Sequence, residues 1–244
     1  MVKASLMIIG DEILSGRTQD KNLGYLAKWL NEAGIQLAEA RIVADIEQEI
    51  VEAANALRQK YDYVFTTGGI GPTHDDITSA SIAKAFGREH VIHPEAYKRL
   101  QAHYGDGDFT EARQRMAYTP EGADLVDNPV SIAPGFQVEN VFVLAGVPKI
   151  MQAMLEQLRP RLKGGTTILS ETLAIQAPES EMAEALADVE AAQEGVSVGS
   201  YPFFRDGAVG TEIVVRSADA GKIKNAIADL QAFCQKQNYT CNLV

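Results

Sequence analysis

Cysteine, tryptophan and basic residues are all scarce in this sequence. Among 244 residues there are two cysteines, one tryptophan, and 22 lysines and arginines against 33 aspartates and glutamates. Cys234 and Cys241 lie close together near the carboxyl terminus with no zinc-type Cys/His spacing around them, which predicts free thiols of a cytoplasmic protein. A formal net charge of -11 repels nucleic-acid backbones and anionic lipid surfaces, whose binding calls for basic patches, so neither is an expected partner. No apolar run approaches a membrane span. The first, Leu6 to Ile9, meets Asp11 and Glu12 at once and is too short for a signal-peptide core. A Walker loop, a GxGxxG fingerprint and a Gly-x-Ser-x-Gly elbow are also absent, which excludes the common nucleoside-triphosphate, dinucleotide-fold and serine-acylation readings.

What is present is the composition of an ordinary globular chain, 46% hydrophobic and 23% charged, at a length that suits one or two domains. The first half alternates short apolar runs with amphipathic patterns, the order that builds a parallel sheet covered by helices. Leu6–Ile9, Ile35–Val43, Tyr63–Thr67 and Asn140–Leu144 read as buried strands. Leu23, Leu26, Ala27 and Leu30 share one helical face that Gly34 terminates; Ile46, Ile50, Ala53, Ala54 and Leu57 share another. A helix over 77–86 should stop at Gly87, and Ile150, Met151, Met154, Leu155 and Leu158 form the core face of a later one. Residues 88–122 read as helical, with Pro94 suited to a first turn and Pro120 marking an exit, and carry no evident chemistry.

Beyond Gly164-Gly165 the order becomes strand 166–176, helix 179–194, strands 196–203 and 209–216, and helix 219–237. This βαββα order describes a small α+β unit. The expected architecture is therefore an α/β domain over residues 1–164 followed by an α+β domain over 165–244. The seven acids between Glu171 and Glu194, with no Lys or Arg among them, read as a solvated helix face.

In an open parallel sheet ligands bind beyond the carboxyl ends of the strands, and four polar loops fall there. They are Gly10–Gly16, the turn at Asp45, Gly68–Asp76 and Ala145–Pro148. The Gly68-Gly69-Ile70-Gly71 run suits either a tight turn or a loop whose amides approach an anionic group, with the following helix adding its positive end. Asp75 or Asp76 fits as a helix cap, but a cap accounts for only one of them. With Asp11, Glu12 and Asp45 they would surround one anion pocket. Such a cluster repels a phosphate unless a divalent cation bridges them, and oxygen ligands suit magnesium or manganese. His74 reads as a loop residue or a general base.

Gly10-Asp11-Glu12-Ile13-Leu14-Ser15-Gly16 with Asp20 and Asn22, and the long string Thr66 to Thr78, resemble the amino-terminal domain of the competence/damage-inducible CinA proteins. Asn128-Pro129, Ala133-Pro134-Gly135-Phe136, Gly146-Val147-Pro148 and Gly199-Ser200-Tyr201-Pro202 extend the resemblance over nearly the whole chain. It implies the molybdopterin-binding three-layer α/β fold, and metal-dependent hydrolysis of ADP-ribose or a related dinucleotide pyrophosphate in the cytoplasm. Binding of molybdopterin or another phosphorylated pterin without turnover is the alternative. By position, Asp11 and Asp76 match the two acidic positions of the wider superfamily and Gly68, Gly69 and Gly71 its anion loop; with the loop reading above, Asp75 and Asp76 are expected as catalytic residues, and Asp11, Asp45 and Asp76 as ligands of a magnesium, manganese or cobalt ion. Gly10, Glu12, Thr67, Gly68, Gly69, Gly71, Pro72, Thr73, Gly135, Gly146 and Pro148 are expected to bind the ligand. A homo-oligomer is expected. Full-length CinA proteins carry a further deamidase domain that these 244 residues do not resemble, so deamidation is not expected of them. Ala145 and Ile150 stand where the family usually has a proline and an acid. An acid at the second place could hold metal or ribose; Ile150 cannot.

Overall fold

The computed structural model describes residues 2–105, 107–205 and 208–244. The chain divides into two compact units, Met1–Gly165 and Thr166–Val244.

The first unit opens with β1 (Val2–Ile9), α1 (Asp11–Leu14), α2 (Asn22–Glu32), β2 (Ile35–Val43), α3 (Glu47–Lys60), β3 (Tyr63–Thr67) and α4 (Thr78–Ala85). It continues with β4 (His90–Ile92), α5 (Pro94–Tyr104), α6 (Glu111–Gln114), β5 (Tyr118–Pro120), β6 (Asp124–Val126), β7 (Gly135–Val138), β8 (Val141–Leu144) and α7 (Pro148–Leu158). Six strands form one sheet in the order β2-β1-β3-β8-β7-β6. The first four run parallel, and β7 is antiparallel to both of its neighbours, β8 and β6, which gives a mainly parallel α/β sheet.

The period of two along β1 divides the core. Leu6 and Ile8 face one side with Phe65, Phe142, Leu26 and Trp29 of α2, and Met151 and Leu155 of α7. Met7 and Ile9 face the other with Val64, Val143, Ile50 and Leu57 of α3, and Ile82 of α4. Both faces of the central strands are covered, so these strands are near-continuous apolar runs. The result is the three-layer arrangement.

Several local expectations need correction. The buried face of α2 is Asn22, Leu26, Trp29 and Leu30, whereas Leu23 is 38% exposed, because the helix is rotated to bring Trp29 inward. Residues 88–122 are not one helical stretch. The short strands β4 and β5 pair antiparallel, His90 opposite Pro120, and enclose α5 and α6 between them. Strands β6 and β7 were not anticipated, since three and four residues are too few to show a period.

The second unit holds β9 (Leu169–Ile175), α8 (Ala183–Ala192), β10 (Val196–Arg205), β11 (Ala208–Ser217), α9 (Ala220–Gln237) and β12 (Cys241–Leu243). Its antiparallel sheet has the order β10-β11-β9-β12, so the expected βαββα order gains a terminal strand. Leu173, Ile175, Ile213, Ile223, Ile227 and Leu230 fill its core. Cys234 and Cys241 are free thiols, and burial pushes the Cys234 thiol up to about 12. Among the described residues, no helix is long and apolar enough to cross a membrane.

Candidate functional site

Parallel strands end on a common edge, and the loops leaving β1, β2, β3 and β8 border a cleft of about 570 Å³ there. Gly10, Glu12, Asp45, Gly68, Gly69, Gly71, Pro72, Asp75, Asp76, Gly146 and Pro148 line it. Residues up to 138 positions apart in sequence, Gly10 and Pro148, thus share one wall only because of strand order. Asn128, Ser131 and Ala133 also line the cleft. The Asn128 side chain braces that loop, donating to the Ala133 carbonyl at 2.8 Å and the Ser131 hydroxyl at 2.7 Å.

Four expected ligand-binding or metal residues lie outside the lining. Asp11 instead locks the β2 turn: its amide donates to Asp45 Oδ2 at 2.9 Å, and its Oδ1 accepts the Asp45 amide at 3.3 Å. Thr67 is 1% exposed, and its hydroxyl has no partner. The Thr73 amide donates to Asp76 Oδ2 at 2.8 Å, and the Thr73 hydroxyl donates to the same oxygen. Gly135 is buried within β7, where a Cβ would stand 2.2 Å from the Val143 carbonyl oxygen; its small size serves sheet packing. His74 is exposed and lines no part of the cleft.

The glycine loop is shaped by two close approaches. Gly68 has φ +104°, and a Cβ there would lie 2.1 Å from the Ile9 carbonyl oxygen, so β1 and the loop can meet only over a glycine. Thr78 ties the loop back, its amide donating to Gly69 O and its hydroxyl to Gly68 O, both at 3.0 Å. The first amide of α4 is therefore already used and cannot serve an anion. The amides of Gly69, Ile70 and Gly71, by contrast, have no acceptor among the described residues, and these three residues are half-buried in the cleft wall. Consecutive free backbone donors in a glycine loop are the groups from which an anion cradle can be built.

Around that cradle stand Glu12, Asp45, Asp75 and Asp76, with no Lys or Arg among the lining residues described. Burial, and then the carboxylates of Asp11, Glu12 and Asp75, hold the Asp45 carboxyl above its ordinary range, while the Asp11 amide opposes them. Hydrogen bonding within the turn that begins at Thr73, its own backbone amide included, lowers the Asp75 carboxyl from its ordinary value. Among the described residues, no group of three or more His, Cys, Asp or Glu side chains is placed to hold a metal ion. The expected set Asp11, Asp45 and Asp76 is not a ready-made site, because Asp11 is spent on the β2 turn and one oxygen of Asp76 on Thr73.

Residues 5–164 match the family model described as "Probable molybdopterin binding domain", and residues 167–240 match the model "FAD synthase, middle domain". A protein of Pyrococcus horikoshii is 36% identical over 203 residues, which is 77% of this chain and 80% of that one. A Clostridium botulinum protein, named as competence-damage inducible, is 30% identical over 240 residues, 94% of this chain and 58% of that one. The solved structure of CinA from Thermoplasma acidophilum, described as of unknown function, superimposes with a TM-score of 0.62 at 35% identity, covering 65% of this chain and 96% of that one.

Proposed function

The chain belongs to the CinA-type family of molybdopterin-binding-fold proteins, and from that premise we propose that the cleft binds and hydrolyses a diphosphate-bridged nucleotide such as ADP-ribose. The single observation that carries this reading is the cradle of three free amides at Gly69, Ile70 and Gly71, set among ionisable carboxylates in one cleft.

Four carboxylates beside an anion need a counter-charge. Magnesium is typically held by one or two carboxylates plus substrate phosphates, not by an all-protein cage, so one or two of the lining carboxylates Glu12, Asp45 and Asp75 would serve such shared binding. Bound there, a divalent ion would neutralise the diphosphate. The chain's own residues then have distinct tasks. The free amides hold phosphate oxygens and stabilise the charge that gathers on them during attack. Asp75, ionised, accepts a hydrogen bond from a water and orients it toward phosphorus. Asp76, with Oδ2 fixed by Thr73, presents Oδ1 for the same purpose. The new bond joins the water oxygen to phosphorus, one water proton passes to the carboxylate that orients it, the P–O–P bridge breaks with its electron pair on the leaving phosphate oxygen, and AMP and ribose phosphate leave. Incubation with ADP-ribose or FAD plus magnesium, manganese or cobalt, following AMP release, tests the reading; no release with any of these ions rejects it.

One observation favours a second reading, binding of molybdopterin or a related phosphorylated pterin without turnover. Ile150 lines the cleft where the family resemblance places an acid, which removes one donor from the reacting end. Tight pterin binding with no nucleotide hydrolysis would select it. Self-association is also proposed, since symmetric assemblies are common among enzymes of this size; light scattering that gives the monomer mass of 26.4 kDa at all concentrations would remove it.

A further inference from the structure

Behind the glycine loop lies a second cavity of about 520 Å³, within the range of small-molecule sites. Ile70, Gly71, Asp76 and Met116 line both spaces, so the two share a wall. The rest of its lining comes largely from Ser79 and from residues 90–118, which lie in the 88–122 segment to which the sequence assigned no chemistry.

The chemistry of this cavity differs from that of the cleft. It has aromatic surface in Tyr118 and the buried Phe136, and the His90 ring lies 5.2 Å from that of Tyr118. Its polar groups have a fixed sense. The Ser79 hydroxyl donates its one proton to the Tyr118 carbonyl at 2.8 Å, so at 3.1 Å it can only accept from His90 Nε2. Nε2 therefore carries a hydrogen, and in the neutral ring Nδ1 is an acceptor. Burial lowers the His90 pKa from its ordinary value and favours that neutral form. Arg115 makes no ion pair among the described residues and is the one Arg or Lys that lines either space. A planar guanidinium offers several donors to ring acceptors.

We infer that this cavity receives the flat heteroaromatic ring of the ligand whose diphosphate occupies the cleft, with Tyr118 against the ring, Arg115 donating to its nitrogen or oxygen atoms, and His90 accepting from an amino group. The inference rests on the diphosphate reading of the cleft and adds to it the residues that would bind the ring, Arg115, Tyr118 and His90. Purine and pterin rings both present acceptors and an amino group on one edge.

Calorimetric titration with magnesium present provides the test, using ADP-ribose, inorganic diphosphate and a phosphorylated pterin as probes. Arg115→Gln changes an exposed side chain and keeps the fold; Tyr118→Leu removes the aromatic face, with a melting curve to verify folding. Each is expected to weaken the ring-bearing probe at least about tenfold and to leave inorganic diphosphate within about twofold, a loss equivalent to about 1.4 kcal/mol. Whichever ring binds more tightly to the wild-type protein names the source. An equal loss for ring-bearing and ring-free probes, or no loss for either variant, overturns the inference. If ADP-ribose and the pterin bind the wild-type protein no more tightly than inorganic diphosphate, the ring site is wrong while the cleft reading stands. If no probe binds, the cleft reading falls and this inference with it.

Discussion

Asp11 and Asp45 exchange backbone amides for carboxylate oxygens: the Asp11 amide donates to Asp45 Oδ2 at 2.9 Å, and the Asp45 amide donates to Asp11 Oδ1 at 3.3 Å. Two residues of like charge thus fasten the β1 and β2 exits together, and their repulsion is retained in the fold.

Burial first, and that repulsion after it, act on Asp45. Its carboxyl is raised in the folded protein, so between the unfolded and folded pKa values the native state binds more protons than the unfolded one. Stability then falls as pH rises through this window, which begins near 3.8. Asp45→Asn keeps an oxygen for the Asp11 amide and removes the charge. The variant is expected to melt higher than wild type at pH 7, with the difference vanishing at pH 3, while metal-supported turnover declines. Melting curves across pH check it; equal Tm values at pH 7 would show that the carboxylates do not repel.

Asp76 serves turnover more than folding. Asp76→Asn retains an oxygen for the Thr73 amide and hydroxyl, and the α4 cap position is Ile77 and not Asp76, so the melting temperature should stay within about 2 °C. Loss of the charged water acceptor should lower hydrolysis of a pyrophosphate substrate by about 10²-fold or more. Glu190→Gln, in the second unit, retains the acceptor of the Val198 amide and should leave hydrolysis unchanged. Wild-type rates for Asp76→Asn at saturating metal would reduce Asp76 to a loop brace.

Gly68→Ala forces a Cβ to within 2.1 Å of the Ile9 carbonyl at φ +104°. Backbone must shift, and a loss of about 2–4 kcal/mol is expected. Denaturant unfolding gives the value; a change under about 0.5 kcal/mol would mean that the loop relaxes freely.

Thr66 is fully buried in β3 with a hydroxyl that finds no partner, although it lies one residue from the site. Thr66→Val removes the stranded polar group at nearly constant volume and is expected to stabilise by about 1 kcal/mol. Destabilisation in urea unfolding would show that the hydroxyl is satisfied by water.

Local pattern alone determined β2 over Ile35–Val43, β3 over Tyr63–Thr67, the stop at Gly34, whose φ is +70°, and the glycine-rich run after β3. Each is written in neighbouring residues, through apolar content or the φ that only glycine adopts readily. The sequence also marked Gly10, Glu12, Asp45, Asp75 and Gly146 as lying on loops at strand ends, which is where ligands gather in a parallel sheet. Tertiary structure decided what those groups face. Strand order turned Asp11 away from the cleft and onto the Asp45 amide, placed Gly135 under the Val143 carbonyl, and buried Thr67 behind the loop it precedes. It also joined Ser79, His90, Arg115 and Tyr118 around one cavity, a grouping with no periodicity to announce it. The physical reason is that a side chain's secondary structure depends on its neighbours in sequence, whereas its partners depend on which strands pair, and pairing is settled by burial of the whole core.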